Sequence, residues 1–280
     1  MLPDLEQRNI QQLEDLNQRG GRMLTVVDLI EAGTLSADMV ATVMYALAQG
    51  ASLLTAARPG GAGKTTLLAA FLNLLPPGVK IITVDTPSVV GQALQVAPPT
   101  PECFLVHEIG DGHWYGYLWG RPVADYFRLI SAQRRIASCL HADTLQELTE
   151  ILLGPPLGVA RGDLDRVGLF AFIHVDFSVS QGYRPRRRVA SLECRAPFVP
   201  KSFRFVWDPL ADNFAVALPD DGGRRRSAPD EALTTWFAGP VFGLFRDFIS
   251  ELVEKGVRHL ADVRREVLGF YREHPELIKR

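Results

Sequence analysis

Cysteine is scarce in this sequence: three in 280 residues, at Cys103, Cys139 and Cys194. An odd, widely spaced set lying in or beside apolar runs fits reduced, buried thiols and excludes both a disulfide framework and a zinc site. Charge of either sign is equally short of excess, since 30 Lys and Arg stand against 32 Asp and Glu for a net charge of −2. No global field therefore recruits nucleic acid or an anionic membrane. Long apolar runs are missing too, for none reaches the ~18 residues of a membrane span. The first residues, MLPDLEQRNIQQ, are polar and mixed in charge rather than signal-like. Together these absences predict a cytoplasmic protein.

The sequence does have enough apolar content, 47%, for one sizeable α/β core with an appendage. Its most informative stretch is AARPGGAGKTTLLAAFLNLL, residues 56–75. Residues 52–57 (SLLTAA) read as a buried strand, and Leu67, Leu68, Phe71, Leu72 and Leu75 give the stripe of a helix that covers it. Strand, glycine-rich loop and helix in that order make a phosphate cradle. Gly60, Gly61, Ala62 and Gly63 let backbone N–H groups approach an anion, and the start of the helix at Lys64, Thr65 and Thr66 adds its positive end. Lys64 supplies a point charge to the outer phosphates, and Thr65 offers a hydroxyl to magnesium. The GxxxxGK[ST] pattern is met except at its first position, where Arg58 stands in place of glycine.

Before the loop, residues 2–18 predict a helix with a narrow apolar stripe, either the remnant of a linker or a partner-docking element. Thr25-x-x-Asp28 forms a capping box, and Ser36 is the expected N-cap of a longer helix ending at Gly50. After the loop helix, residues 80–85 (KIITVD) read as a strand with Asp85 at its carboxyl end. Asp85 is either part of a magnesium–water network or a capping carboxylate before Thr86-Pro87. Residues 86–102, with four prolines, read as irregular. Residues 103–109 (CFLVHEI) and 114–119 (WYGYLW) predict two strands joined by Gly110-Asp111-Gly112, a hairpin turn. Glu108 is the acidic residue that ends a strand here, where an ATPase needs a carboxylate to polarise water.

Residues 136–142 (IASCLHA) predict another strand, ending near His141, with Asp143 capping the next helix. A histidine there is either structural or a sensor of a γ-phosphate. From residue 165 onward short strands joined by turns predict antiparallel additions to the sheet. The basic runs at 184–188 and 224–226 lie at turns, where a solvated loop is the plain reading and nucleic-acid contact has no interleaved aromatics in support. Three helices then close the chain, near 230–238, 241–255 and 258–273.

With these residues in view, residues 34–90 resemble the C-terminal motor domain of the secretion ATPases that drive type II secretion, type IV and Tad pili, and conjugation. ASCLHADTLQEL, residues 137–148, looks like the family's His box, and RRRVASLE, residues 186–193, looks like its Arg-rich strand. The resemblance runs over about residues 24–272. It implies a RecA-like P-loop core with a parallel sheet extended by antiparallel strands, plus a C-terminal helical cap. It further implies a homo-oligomeric ring, ATP and Mg2+ as cofactors, and Lys64, Thr65, Asp85 and His141 in the corresponding roles. Three departures stand out: Arg58 for glycine, no clean counterpart of the family's Gly-Glu strand, and only residues 1–22 in place of its N-terminal sensing domain.

The division expected is an N-terminal helix or linker remnant (1–22), a RecA-like core (23–228) and a C-terminal helical region (229–280). The function expected is ATP binding, with or without hydrolysis, coupled to a membrane-embedded secretion or pilus platform protein, the protein being cytoplasmic or peripheral at the inner membrane. Glu108 would then activate water, His141 would sense the γ-phosphate, and Arg134, Arg135 or Arg161 would serve a neighbouring subunit. The alternative is a degenerate relative that binds nucleotide as a scaffold or regulator. A P-loop kinase or nucleic-acid translocase has less in its favour, since no acceptor site or aromatic platform is visible.

Overall fold

The computed structural model of the chain describes residues 2–17, 20–177, 185–219 and 230–279. Arg184 and the basic run at 224–226 lie outside them. The described strands are β1 (Leu53–Ala56), β2 (Lys80–Thr83), β3 (Glu102–Ile109), β4 (Tyr117–Leu118), β5 (Arg134–Leu140), β6 (Leu169–Asp176), β7 (Arg186–Cys194), β8 (Phe203–Asp208) and β9 (Asn213–Ala217). The helices are α1 (Asp4–Glu14), α2 (Val26–Glu31), α3 (Ala37–Ala48), α4 (Lys64–Leu72), α5 (Pro87–Ala93), α6 (Pro122–Arg128), α7 (Leu145–Leu153), α8 (Arg161–Leu164), α9 (Glu231–Ala238), α10 (Pro240–Glu254) and α11 (Leu260–Glu273).

One sheet runs through the molecule in the order β2-β3-β5-β1-β6-β7-β8-β9, with β4 added beside β3. The first five strands of that order are parallel, and β7, β8 and β9 extend them antiparallel. This is the RecA-like arrangement expected: the strand before the glycine loop sits inside the sheet, and β5 separates it from β3. Strand alternation feeds two cores. Leu53, Leu105 and Ala171 face one apolar cluster, and Leu54, Val106 and Phe172 face the other. Helices α1–α4 and α9–α11 cover the first face, and α5–α8 cover the second. The three C-terminal helices share that first cluster with α3 and α4, through Phe242, Phe245, Val263 and Val267.

Local chemistry sets several boundaries as expected. Thr25 and Asp28 form the capping box that opens α2, and the Ser36 hydroxyl accepts from Met39 N at 3.3 Å. Three expectations are corrected. Residues 87–93 are helical rather than irregular, because Pro87 occupies the first helical turn, where its missing N–H has no cost. The helix after residue 143 is capped by Thr144, not Asp143. The hairpin does not form: β4 has two residues and lies parallel to β3, with Glu108 opposite Tyr117. His107 N donates to Gly116 O at 2.7 Å, and Gly116, at φ 75°, turns the chain back into the original direction.

Helix α1 does a job that its sequence alone does not announce. Strand β2 is the sheet edge, and its backbone is paired by side chains of α1. Asn9 Nδ2 donates to Val79 O at 2.9 Å, Asn9 Oδ1 accepts from Ile81 N at 2.9 Å, and Gln12 Oε1 accepts from Thr83 N at 3.1 Å. An open strand edge is a template for unwanted pairing, and these amides close it. The same helix is tied to the end of the chain. Arg264 of α11, 2% exposed, donates through Nε to Glu6 Oε2 at 2.7 Å and also reaches the carbonyls of Asn73 and Leu75. Burial pulls the Arg264 guanidinium below its ordinary value, and Glu6 pushes it back up.

Removing one member of this buried pair strands the other charge, at a cost of about 3–5 kcal/mol. Arg264→Met alone should lower the denaturant midpoint strongly, while Arg264→Met with Glu6→Leu should recover most of the loss. Burial also pushes the thiols of Cys103 and Cys139 up to about 12. Alkylation at pH 8 should accordingly leave both unlabelled in the folded protein and reach them only in denaturant, as mass spectrometry would read.

Candidate functional site

The carboxyl ends of β1, β3 and β5 converge because the three strands run parallel. Between β1 and α4 the glycine loop rises over them. Gly61 and Gly63 hold φ at 76° and 103°, values that L side chains rarely adopt, so glycine is required at both. Gly63 is the N-cap of α4 and has no side chain to cap with, which leaves the first-turn N–H groups of α4 without an intrahelical partner. Thr55 of β1 fixes the helix start from below, its hydroxyl donating to Lys64 O at 3.1 Å and touching Cys139 Sγ at 3.1 Å.

The Lys64 side chain turns inward and is only 6% exposed. Its Nζ lies 3.3 Å from Ala57 O, 3.2 Å from His141 Nε2 and 3.6 Å from Glu108 Oε2. His141 Nδ1 is 2.7 Å from Arg58 O, which fixes a hydrogen on that nitrogen. Its Nε2 then accepts from Lys64 when neutral, or donates to Glu108 Oε1, 3.2 Å away, when protonated. The three side chains thus form one charge-balanced cluster below the loop, built from α4, the end of β3 and the residue after β5.

A β-bulge brings Glu108 here. Val106 and Ile109 face the same apolar cluster although they are three positions apart, and the pairing of β3 with β5 shifts register between them. That extra residue lets His107 and Glu108 both line the cleft. The cleft holds about 400 Å³, and residues 60–66 of the loop and the start of α4 form its floor. Tyr117 and His141 line it as well, and Arg22 and Met23 close it from the N-terminal side. Burial, reinforced by the charge of Glu108, raises the Tyr117 hydroxyl above its ordinary value.

Most of the residues singled out from the sequence meet here: Gly60, Gly61, Ala62, Gly63, Lys64, Thr65, Thr66, Glu108 and His141. Asp85 does not. It follows β2 at the sheet edge, is exposed, and among the described residues accepts from the adjacent Thr86 hydroxyl at 3.4 Å. Arg58, the departure from the loop pattern, is tied outward: its N–H donates to Asp143 Oδ1 at 2.7 Å and its guanidinium pairs with Glu147 of α7. Of the three arginines considered for a neighbouring subunit, two are consumed within the chain. Arg134 binds Glu102 and the carbonyls of Ala93 and Val96, and buried Arg135 donates to Leu47 O. Arg161 is exposed on α8.

One residue was missed by sequence reading. On β7, Arg186 and Arg188 both bind Asp212, while Arg187 between them faces the other way and reaches the loop. Its Nη2 lies 3.4 Å from Gly61 O. The alternation of a strand carried this signal, since every second residue of a basic run points to the opposite face.

The arrangement fits a polyphosphate with its metal: backbone donors without intrahelical partners, a buried ammonium, a second cation overhead, a hydroxyl at the helix start and a carboxylate beside them. No known family profile matches the chain, and no curated protein does. Among solved structures, the VirB11 ATPase from the Brucella suis type IV secretion system, in complex with sulphate, is similar at 18% identity and a TM-score of 0.36, over 66% of this chain. The chain spans 55% of that protein's chain.

A methyl group at position 63 meets left-handed backbone, which costs an L residue about 1–2 kcal/mol. Gly63→Ala should lower thermal stability by that order, whereas Gly60→Ala, where a Cβ meets open space, should leave the melting midpoint near wild type.

Proposed function

We propose that this chain is a P-loop ATPase of the secretion and pilus-motor type. One observation carries the reading: the loop lysine is buried 3.6 Å from a strand-end carboxylate in a cleft floored by the glycine loop. An ammonium so placed has a partner within the chain only until an anion arrives. Loop N–H groups, Lys64 and Arg187 would bind the phosphates of ATP, and Thr65 would offer its hydroxyl to magnesium. Magnesium would neutralise phosphate charge.

The pairing also suggests how the base is held in check. While Lys64 contacts Glu108, the ammonium occupies the carboxylate oxygen that would receive the proton. As the ammonium shifts toward the phosphates, that oxygen is freed and Glu108 takes the proton of the attacking water. His141, anchored on Arg58 O, follows the change through Nε2 and serves as the γ-phosphate sensor. Arg161 is the candidate for reaching a neighbouring subunit of a homo-oligomeric ring, since Arg134 and Arg135 are occupied. Asp85, exposed after β2 at the sheet edge and outside the cleft, is left out of the magnesium network. No helix among the described residues is long and apolar enough to cross a membrane. The motor reading accordingly has it act from the cytoplasm, at the inner face, on a membrane-embedded platform protein.

A second reading, a nucleotide-dependent scaffold with little turnover, is favoured by Arg58. Its pairing with Asp143 and Glu147 ties the start of the loop to α7 and stiffens a segment that a working cycle would move.

Calorimetry and phosphate release separate the two. Lys64→Ala should abolish nucleotide binding, and wild-type affinity in that variant would sink the cradle assignment. Glu108→Gln should keep binding and lower turnover by about a hundredfold or more, the usual loss of a general base. Wild-type binding without measurable turnover would select the scaffold.

A further inference from the structure

Helix α10 carries two apolar stripes where an amphipathic helix needs one. Phe242, Phe245, Ile249 and Leu252 are buried in the core. Val241, Leu244 and Phe248, spaced i, i+3 and i+7, form a second stripe that turns outward, with Val241 43% and Leu244 36% exposed and Phe248 half-buried. Leu244 and Phe248 line a groove of about 350 Å³ between α10 and α11, and Gly269 and Phe270 supply the α11 side. Phe248 and Phe270 stack with ring centroids 4.6 Å apart and make its floor. Gly269 sits inside α11, and a Cβ there would meet open space. Glycine is a weaker helix former than alanine, and neither a left-handed φ nor a close neighbour demands it at this position. What the missing side chain leaves is room in the groove.

The rim of the groove indicates what fits it. Asp247, Glu251, Glu266 and Glu273 line it, against Lys255. Lys255 Nζ is divided between Glu251 Oε1 at 2.7 Å and Glu266 Oε2 at 3.8 Å, and Asp247 has Arg246 Nε at 3.8 Å. An excess of negative charge therefore remains at this rim, in a chain whose net charge is only −2. Such a rim opposes an anionic lipid surface, and it opposes a second copy joined through the same face, since both bring negative charge to negative charge. Both walls are helices whose backbone groups are already paired, so an added strand finds no edge to bond to, whereas a helix satisfies its own backbone and needs only side-chain contacts. We infer that the groove between α10 and α11 docks an amphipathic helix of a partner protein. Its apolar anchors enter between Leu244 and Gly269, and Lys or Arg residues beside them reach Asp247, Glu251 and Glu273. This surface stands apart from the nucleotide cleft and serves a motor or a scaffold equally.

The test is fluorescence anisotropy of the full chain with a fluorescein-labelled synthetic helical peptide that carries leucine on one face and lysine on its flanks. A leucine–glutamate peptide of the same length is the control. The lysine peptide should bind and the glutamate peptide should not, and raising the salt should weaken binding by about tenfold or more. Gly269→Leu fills the groove without changing its charge and should lower affinity about tenfold, with a melting midpoint at or above wild type. Asp247→Lys combined with Glu273→Lys should weaken the lysine peptide by a similar factor and admit the glutamate peptide. If Gly269→Leu does not fold, Leu244→Ser, which removes an exposed anchor contact, carries the same expectation. Unchanged affinity in the variant that folds places the peptide elsewhere and overturns the inference, as does equal binding of the two peptides or no binding of the lysine peptide. Self-association seen by sedimentation equilibrium and abolished by Gly269→Leu would overturn it too, by assigning the face to a second copy of the chain.

Discussion

A lysine ammonium held out of water is costly unless opposite charge or lone pairs surround it. Lys64 meets that condition only because three parallel strands end at one level. Strand β1 delivers the loop and, through Thr55, fixes the start of α4. Strand β5, inserted between β1 and β3, delivers His141, and β3 delivers Glu108 from two positions away. An antiparallel strand in either place would bring its amino end to the cleft and carry the carboxylate or imidazole to the opposite side of the sheet. The extension by β7, β8 and β9 begins beyond β6, so the antiparallel part of the sheet leaves this convergence intact, and the Arg187 side chain reaches back over the loop from it.

The side chains around Lys64 form a connected set of contacts. Each donor and acceptor around Lys64 has a second partner available: Glu108 faces His141, His141 faces the carbonyl of Arg58, and Arg58 is itself anchored on Asp143 and Glu147. A continuous line of contacts thus joins the Lys64 ammonium to the amino end of α7.

How much of this was legible beforehand follows from how local each signal is. The glycine loop, the Lys-Thr-Thr start of α4, the capping box at Thr25 and the cap at Ser36 are contained within a few residues, and the structure carries them as read. Glu108 was reachable because an acidic residue ending an apolar run is also a local pattern. Sheet order is not local. Asp85 ends a strand as Glu108 does, but β2 is three places from β1, a distance that no stretch of sequence encodes. The aromatic run at 114–119 has strand composition, yet the contact of His107 N with Gly116 O and the left-handed turn at Gly116 send it parallel rather than antiparallel. The bulge at residues 107–108 was hidden for a similar reason, since strict alternation would have sent one of these two side chains away from the cleft.

The pairing of Glu6 with Arg264 joins residues 258 positions apart in sequence. Because that pair spans most of the described residues, it couples the docking of α11 to the covering of β2: loosening either helix uncovers the strand edge that Asn9 and Gln12 close.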